Sequence, residues 1–178
     1  MRRITDILTI EHAQLCILFD ELDRLLPEVR TLEEVRLLSR LVEGVLSHHA
    51  DVEENLAFAA LDHALAEEGE LRQLHQDHEE IDARLRGAAL ATDFTKAVRL
   101  LKAGLKASRA HFRREEQTVF PLFEKLFAPA SLETLGAGAA GRGAGQTPTL
   151  PTGSSGNGGP AREYSTPPQD GLGPSESL

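Results

Sequence analysis

The chain has 178 residues, a net charge of −9, one cysteine and no tryptophan, enough for one domain with a sizeable core. The lone cysteine excludes an internal disulfide framework and suits a reducing, cytoplasmic compartment. No basic stripe is available to neutralise phosphates and no run reaches the roughly 20 apolar residues of a bilayer span, so neither nucleic acid nor membrane is an expected partner.

The start, MRRITDILTIEHAQL, lacks a long apolar core and a small-residue cleavage site, so no secretion signal is expected. It reads instead as the opening of a helix from Ile4 to Leu26, with Leu8, His12, Leu15, Phe19, Leu22 and Leu26 inward and Pro27 at its end. A second helix begins after Thr31, with Glu34 three residues on as in a capping box. Its stripe is Leu38, Val42, Val45, His49, Glu53 and Leu56, and it ends between Leu61 and Gly69. The third runs from Glu70 to Leu90 with Leu71, Leu74, His78, Ile81 and Leu85 inward. The fourth starts after Thr92 or Asp93 and continues to Phe127, with Pro121 kinking it or loosening its last turns. Its stripe includes Phe94, Val98, Leu101, Leu105, Ser108, His111, Glu115, Val119 and Leu122. No window alternates as a strand does. Short connections imply antiparallel neighbours, hence an all-α, up-down-up-down four-helix bundle over residues 1–130.

The composition changes near residue 128. Residues 131–178 are expected to be a disordered tail, since a Gly-, Pro- and Ser-rich segment buries too little to offset its ordering entropy. Tyr164, the only tyrosine, lies there and carries no functional signal.

The strongest signal is a repeat. HADVEENLAFAAL, residues 49–61, aligns without gaps on HFRREEQTVFPLF, residues 111–123, so His49 falls on His111, Glu53 on Glu115, Glu54 on Glu116 and Phe58 on Phe120. A His and a Glu four apart share one helix face, about 6 Å apart along the axis. Both pairs sit on apolar stripes, where a carboxylate needs a partner or it neutralises. The other two helices match as well: IEHAQL around His12 resembles QDHEEI around His78, each His preceded by an acidic residue. Each half thus offers one His on its first helix and a His-x3-Glu pair on its second. Packed with pseudo-twofold symmetry, the halves bring His12, His49, Glu53, His78, His111 and Glu115 together. Imidazole and carboxylate donors suit iron, manganese or zinc. Two metals bridged by the two glutamates satisfy the symmetry, and bundle cores are an established setting for such sites.

EHAQL, HADVEE, HQDHEE and HFRREEQTVFP, spread over nearly all of residues 1–127, resemble the hemerythrin-like, or HHE cation-binding, family of four-helix bundles enclosing a non-haem di-iron centre. The resemblance implies that His12, His49, His78 and His111 are terminal ligands, that Glu53 and Glu115 bridge two irons, and that an oxo or hydroxo group completes the bridge. Each iron would then be about five-coordinate and open to oxygen, nitric oxide or peroxide. The oxygen-carrying hemerythrins have a third-helix His-x3-His pair and a fourth-helix His-x4-Asp. Here the corresponding features are His75-x2-His78 and His111-x3-Glu115, a glutamate pattern closer to iron–sulfur-cluster repair proteins and to the iron-sensing domain of a ubiquitin ligase. His75, at the edge of the stripe, is a further candidate ligand that would make the site more carrier-like.

His48 points about 100° away from His49 and is expected at the surface, as is His63 near a helix end. Cys16, one turn beyond His12, reads as a small buried hydrophobe rather than a redox thiol. Glu54 and Glu116 read equally well as outer groups orienting ligands or as a solvated face. The leading functional expectation is a di-iron protein that binds, senses or handles oxygen, nitric oxide or iron. A di-iron enzyme decomposing hydrogen peroxide and a zinc-containing or metal-free interaction bundle are the alternatives.

Overall fold

The computed structural model describes residues 1–64 and 69–143, and the described residues form an all-helical bundle with no strand among them. Helix α1 (Ile4–Leu25) ends in a 3-10 turn at Leu26–Glu28, where Pro27 removes a backbone donor. Helix α2 (Leu32–Val52) starts on the expected capping box: the Thr31 hydroxyl accepts from Glu34 N–H at 3.3 Å and Glu34 Oε2 accepts from Thr31 N–H at 2.9 Å. The backbone N–H groups of Arg30 and Thr31, both donating to it, hold the exposed Glu34 carboxyl below its ordinary range. Helix α4 (Gly69–Leu90) and helix α5 (Phe94–Arg114) follow, and Asp93 caps α5 by accepting from Lys96 N–H at 2.7 Å.

Neither of the two long His-x3-Glu helices continues as a regular α-helix. Immediately after α2 a π-turn spans Glu53–Phe58 before α3 (Ala59–Ala64), and after α5 another spans Glu115–Val119 before α6 (Phe120–Leu126). The two π-turns fall at matched positions of the repeat. Pro121 sits at the start of α6, as a residue that needs no donor there can. Its counterpart in the first half is Ala59, so proline is not what makes the π geometry. The expected disturbance at Pro121 therefore begins earlier, at the glutamate itself.

Two apolar clusters lie on either side of the histidines. One joins Leu15, Phe19, Val42, Leu46, Ile81 and Leu105. The other joins Ile4, Leu8, Val52, Phe58, Leu74 and Phe123. On α1, α2 and α4 the histidine falls between a residue of one cluster and a residue of the other, and His111 lies between Leu105 of α5 and Val119 in the turn beyond it, so the polar groups form a layer inside the bundle. Val45, expected inward, is instead 45% exposed; Val42 and Leu46 take the core positions.

The expected domain boundary at residue 130 needs correction. A further helix, α7 (Pro129–Gly143), packs on α1, with Leu132 and Ala139 buried in the second apolar cluster. Gly136 allows it: a Cβ there would lie 2.3 Å from the Arg2 carbonyl oxygen. A glycine-rich stretch that reads as a tail is here a close helix–backbone contact. The remainder of the expected tail, and Tyr164 within it, lies outside the described residues. A chain ending at Ala130 is expected to be less stable than one ending at Gly143, by about 2 kcal/mol for the lost burial of Leu132. Equal denaturant midpoints for the two would show that α7 adds nothing to the bundle.

Candidate metal centre

Each of the four long helices delivers one imidazole to the polar layer. His12 comes from α1, His49 from α2, His78 from α4 and His111 from α5, while Glu53 and Glu115 open the two π-turns. All six expected residues converge. His12 Nε2 lies 3.1 Å from His49 Nε2, and His78 Nε2 lies 2.8 Å from His111 Nε2. Glu53 spans the two pairs: its Oε1 is 3.0 Å from His49 Nε2 and 3.4 Å from His12 Nε2, and its Oε2 is 3.3 Å from His78 Nε2. Glu115 reaches both sides with one atom, Oε2 being 3.4 Å from His12 Nε2 and 3.4 Å from His111 Nε2.

The arrangement forms two overlapping donor groups, His12–His49–Glu53 and Glu53–His78–His111–Glu115. Donor atoms about 2.1 Å from one ion lie about 3 Å apart when they subtend a right angle, which is the spacing found. Glu53 and Glu115 are both fully buried, yet Glu53 Oε2 and both Glu115 carboxylate oxygens have no hydrogen-bond partner. Orphaned buried carboxylate oxygens are costly, and a cation among them is the arrangement that removes the cost. The residues present fit a metal pair.

Electrostatics describes the same shortage. Burial works against the Glu53 carboxylate, but His49 beside it and hydrogen bonds from the neighbouring imidazoles hold its pKa well below the ordinary range. Burial and the adjacent Glu53 push Glu115 well above that range. Burial opposes charge on His49, yet Glu53 and Glu11 outweigh it and raise its pKa to about 9. His78 is raised against its burial by Glu53 and Glu54, whereas burial and the neighbouring His78 and His12 lower His111 despite Glu53. Without a cation, protons on His49, His78 and Glu115 stand in for the missing positive charge.

On its Nδ1 side every ring meets a carboxylate. The distances are 2.9 Å from His12 to Glu116, 2.9 Å from His49 to Glu11, 3.0 Å from His78 to Glu54 and 3.4 Å from His111 to Asp77. Asp77 is itself held by Arg114 and by Gln73. The acidic residue before His12 and before His78 was visible in the sequence, but not its partner, because it turns sideways to a ring on another helix. Phe112 was missed altogether. It stacks on His12 at 4.2 Å between centroids and meets His49 edge-on at 5.3 Å, and Phe120 covers His12 at 5.6 Å.

His75, the further candidate ligand, is not brought to the cluster. Its side chain is 45% exposed, belongs to neither donor group, and approaches Glu54 at 3.5 Å rather than the inner nitrogens. One position off the Leu74–His78–Ile81 stripe is enough to turn it outward. His78→Ala is therefore expected to release metal where His75→Ala keeps it, read as metal per chain after gel filtration; equal loss from both would restore His75 as a ligand. His48 is exposed as expected, and the side chain of His63 lies outside the described set. Cys16 packs half-buried against the first apolar cluster, and burial raises its thiol pKa, which fits the packing role.

No helix among the described residues is long and apolar enough to cross a membrane. No curated protein and no solved structure matches the chain. A family does: residues 3–134 match the Hemerythrin HHE cation binding domain, a span that contains every residue of the buried cluster and ends within α7. The chain belongs to that family, whose cation-binding chemistry is the one the buried His/Glu layer fits.

Proposed function

We infer that the chain is a non-haem di-iron protein that binds, senses or handles a small ligand such as oxygen or nitric oxide. His12 and His49 would hold one iron, His78 and His111 the other, and Glu53 and Glu115 would bridge them with an oxo or hydroxo group. The observation that carries this reading is the pair of buried glutamates with orphaned oxygens inside a ring of four imidazole nitrogens. Bound iron would supply a redox-active Lewis acid. The scaffold we favour is an up-down-up-down bundle of α1, α2, α4 and α5. It is supported by the order of the clusters along the chain: Leu8 before Leu15 in α1, Leu46 before Val52 in α2, Leu74 before Ile81 in α4 and Leu105 before Val119 after α5.

The protein's own groups do the rest. The two apolar clusters and the Phe112 and Phe120 rings exclude bulk water from the His12 side. Between α2, α4 and α5 a cavity of about 20 Å³, bordered by Leu46, His49, Ala50, His78, Ile81 and Phe112, leaves room for a molecule of water size. A space of that size beside His49 and His78 can take a diatomic ligand or peroxide. A reducing, cytoplasmic setting fits the single cysteine.

The test is metal analysis of purified protein with its near-ultraviolet spectrum, followed by exposure to oxygen, nitric oxide and hydrogen peroxide. Two irons per chain, a bridged di-ferric band and a spectral response to oxygen or nitric oxide are expected. Zinc in place of iron, or no metal, would overturn the reading. Peroxide turnover well beyond that of free iron would replace it with the enzymatic one.

A further inference from the structure

We propose that Glu11, Glu54, Asp77 and Glu116 are positioning residues joined in a closed cycle, each fixing the metal-binding imidazole of the next helix around the bundle. Glu11 of α1 faces His49 of α2, and Glu54 in the π-turn after α2 faces His78 of α4. Asp77 of α4 faces His111 of α5, and Glu116 in the π-turn after α5 faces His12 of α1. None of these four carboxylates serves the histidine of its own helix. The circuit therefore runs α1 to α2 to α4 to α5 and back to α1.

The chemistry gives the cycle a task. A neutral imidazole carries its proton on one nitrogen, and the hydrogen bond made by that nitrogen decides which one is bare. With each Nδ1–H donating to a carboxylate, all four Nε2 atoms are left as lone-pair donors. Those are the atoms that converge at 2.8 to 3.4 Å on one another and on the glutamates. The same hydrogen bond stops ring rotation and makes the imidazole a stronger donor. Two features show that the links are placed and not incidental. They repeat across the halves, Glu11 with Asp77 preceding a histidine and Glu54 with Glu116 following a glutamate. Asp77 is also held from outside by Arg114 and Gln73, which fixes the carboxylate that fixes the ring. The π-turns serve the cycle by carrying a buried glutamate and, at the very next residue, a carboxylate directed at a neighbouring helix.

This inference rests on the metal reading of the centre, and its test separates the two. Wild type and the variants Glu11→Ala, Glu54→Ala, Asp77→Ala and Glu116→Ala are loaded with iron, and metal release to a competing chelator is measured. A second set, Glu11→Gln, Glu54→Gln, Asp77→Asn and Glu116→Gln, keeps an acceptor oxygen without the charge. Glu79→Ala, an exposed carboxylate beside His78 but outside the cycle, is the control. Each alanine variant is expected to bind iron about 10- to 100-fold more weakly, the amide variants to recover most of the loss, and the control to match wild type. In the zinc-loaded protein, hydrogen-bonded imidazole Nδ1–H resonances should report the crossing: Glu11→Ala removes that of His49 and Glu116→Ala that of His12. Alanine variants within twofold of wild type, amide variants as weak as alanine, or loss of the resonance from the wrong helix would each overturn the cycle while leaving the di-metal centre standing. A wild type that binds no metal would overturn both.

Discussion

Glu53→Ala and Glu115→Ala are each expected to lower bound iron well below two per chain and to erase the bridged di-ferric absorption. The geometry makes these the most damaging single changes. Glu53 presents one oxygen to His12 and His49 and the other to His78, so its removal opens both donor groups at once. Glu115 stands at equal 3.4 Å distances from His12 and His111, one histidine of each pair. A terminal histidine serves one side only, so His12→Ala or His78→Ala should lose less metal than either glutamate variant. Glu53→Gln and Glu115→Gln, which keep the shape, separate loss of the bridge from collapse of the site. The measurement is iron stoichiometry beside the absorption spectrum. If both alanine variants still hold two irons with an unchanged spectrum, the bridged arrangement is wrong and the repeat reflects packing alone.

How much of this centre was legible in the sequence depends on the direction in which each residue points. His12, His49, Glu53, His78, His111 and Glu115 all lie on inward stripes, and helical periodicity alone gathers inward residues into one core. The repeat then places them at one level. Residues beside the stripe carry no such signal. Glu11, Glu54, Asp77 and Glu116 turn toward a neighbouring helix, and which neighbour they meet is decided by the packing of the whole bundle. The π-turns were equally hidden. A π-turn widens the backbone hydrogen-bond spacing without demanding a residue type, and the helices that follow these two carry Ala59 and Pro121 at equivalent positions. At α7, composition misled the reading for a physical reason. Glycine disfavours an isolated helix, but at Gly136 its missing Cβ is what allows contact with the backbone of α1.

Stripped of metal, the protein is expected to melt at progressively lower temperature as pH rises from about 6.5 towards 9. The sign follows from which state holds more protons. His49 titrates ordinarily at 6.5 and is raised to about 9 in the fold, because Glu53 and Glu11 outweigh its burial. Its contribution is therefore fully present below pH 6.5 and is lost as pH rises through 9. His78 is shifted in the same upward direction and adds to the fall, while the upward-shifted Glu115 begins to lose its contribution at its ordinary 4.5. The groups shifted downward act elsewhere: Glu53 loses its contribution below the ordinary carboxylate pKa, and His111 acts below 6.5. For His49 alone the raised pKa corresponds to on the order of 3 kcal/mol, which for a domain of this size is a fall of roughly 10 °C. Metal removes the dependence, because bound ligands are already deprotonated. The metal-loaded protein should hold its melting temperature through the same window. In metal-free Glu53→Gln the anion that keeps His49 charged is gone, so the fall should largely disappear. Calorimetric scans of the three samples between pH 6 and pH 9.5 decide it. A flat profile for the metal-free wild type would mean that the buried glutamates are balanced by something other than protonated imidazoles, and the cation would then not be what the layer lacks.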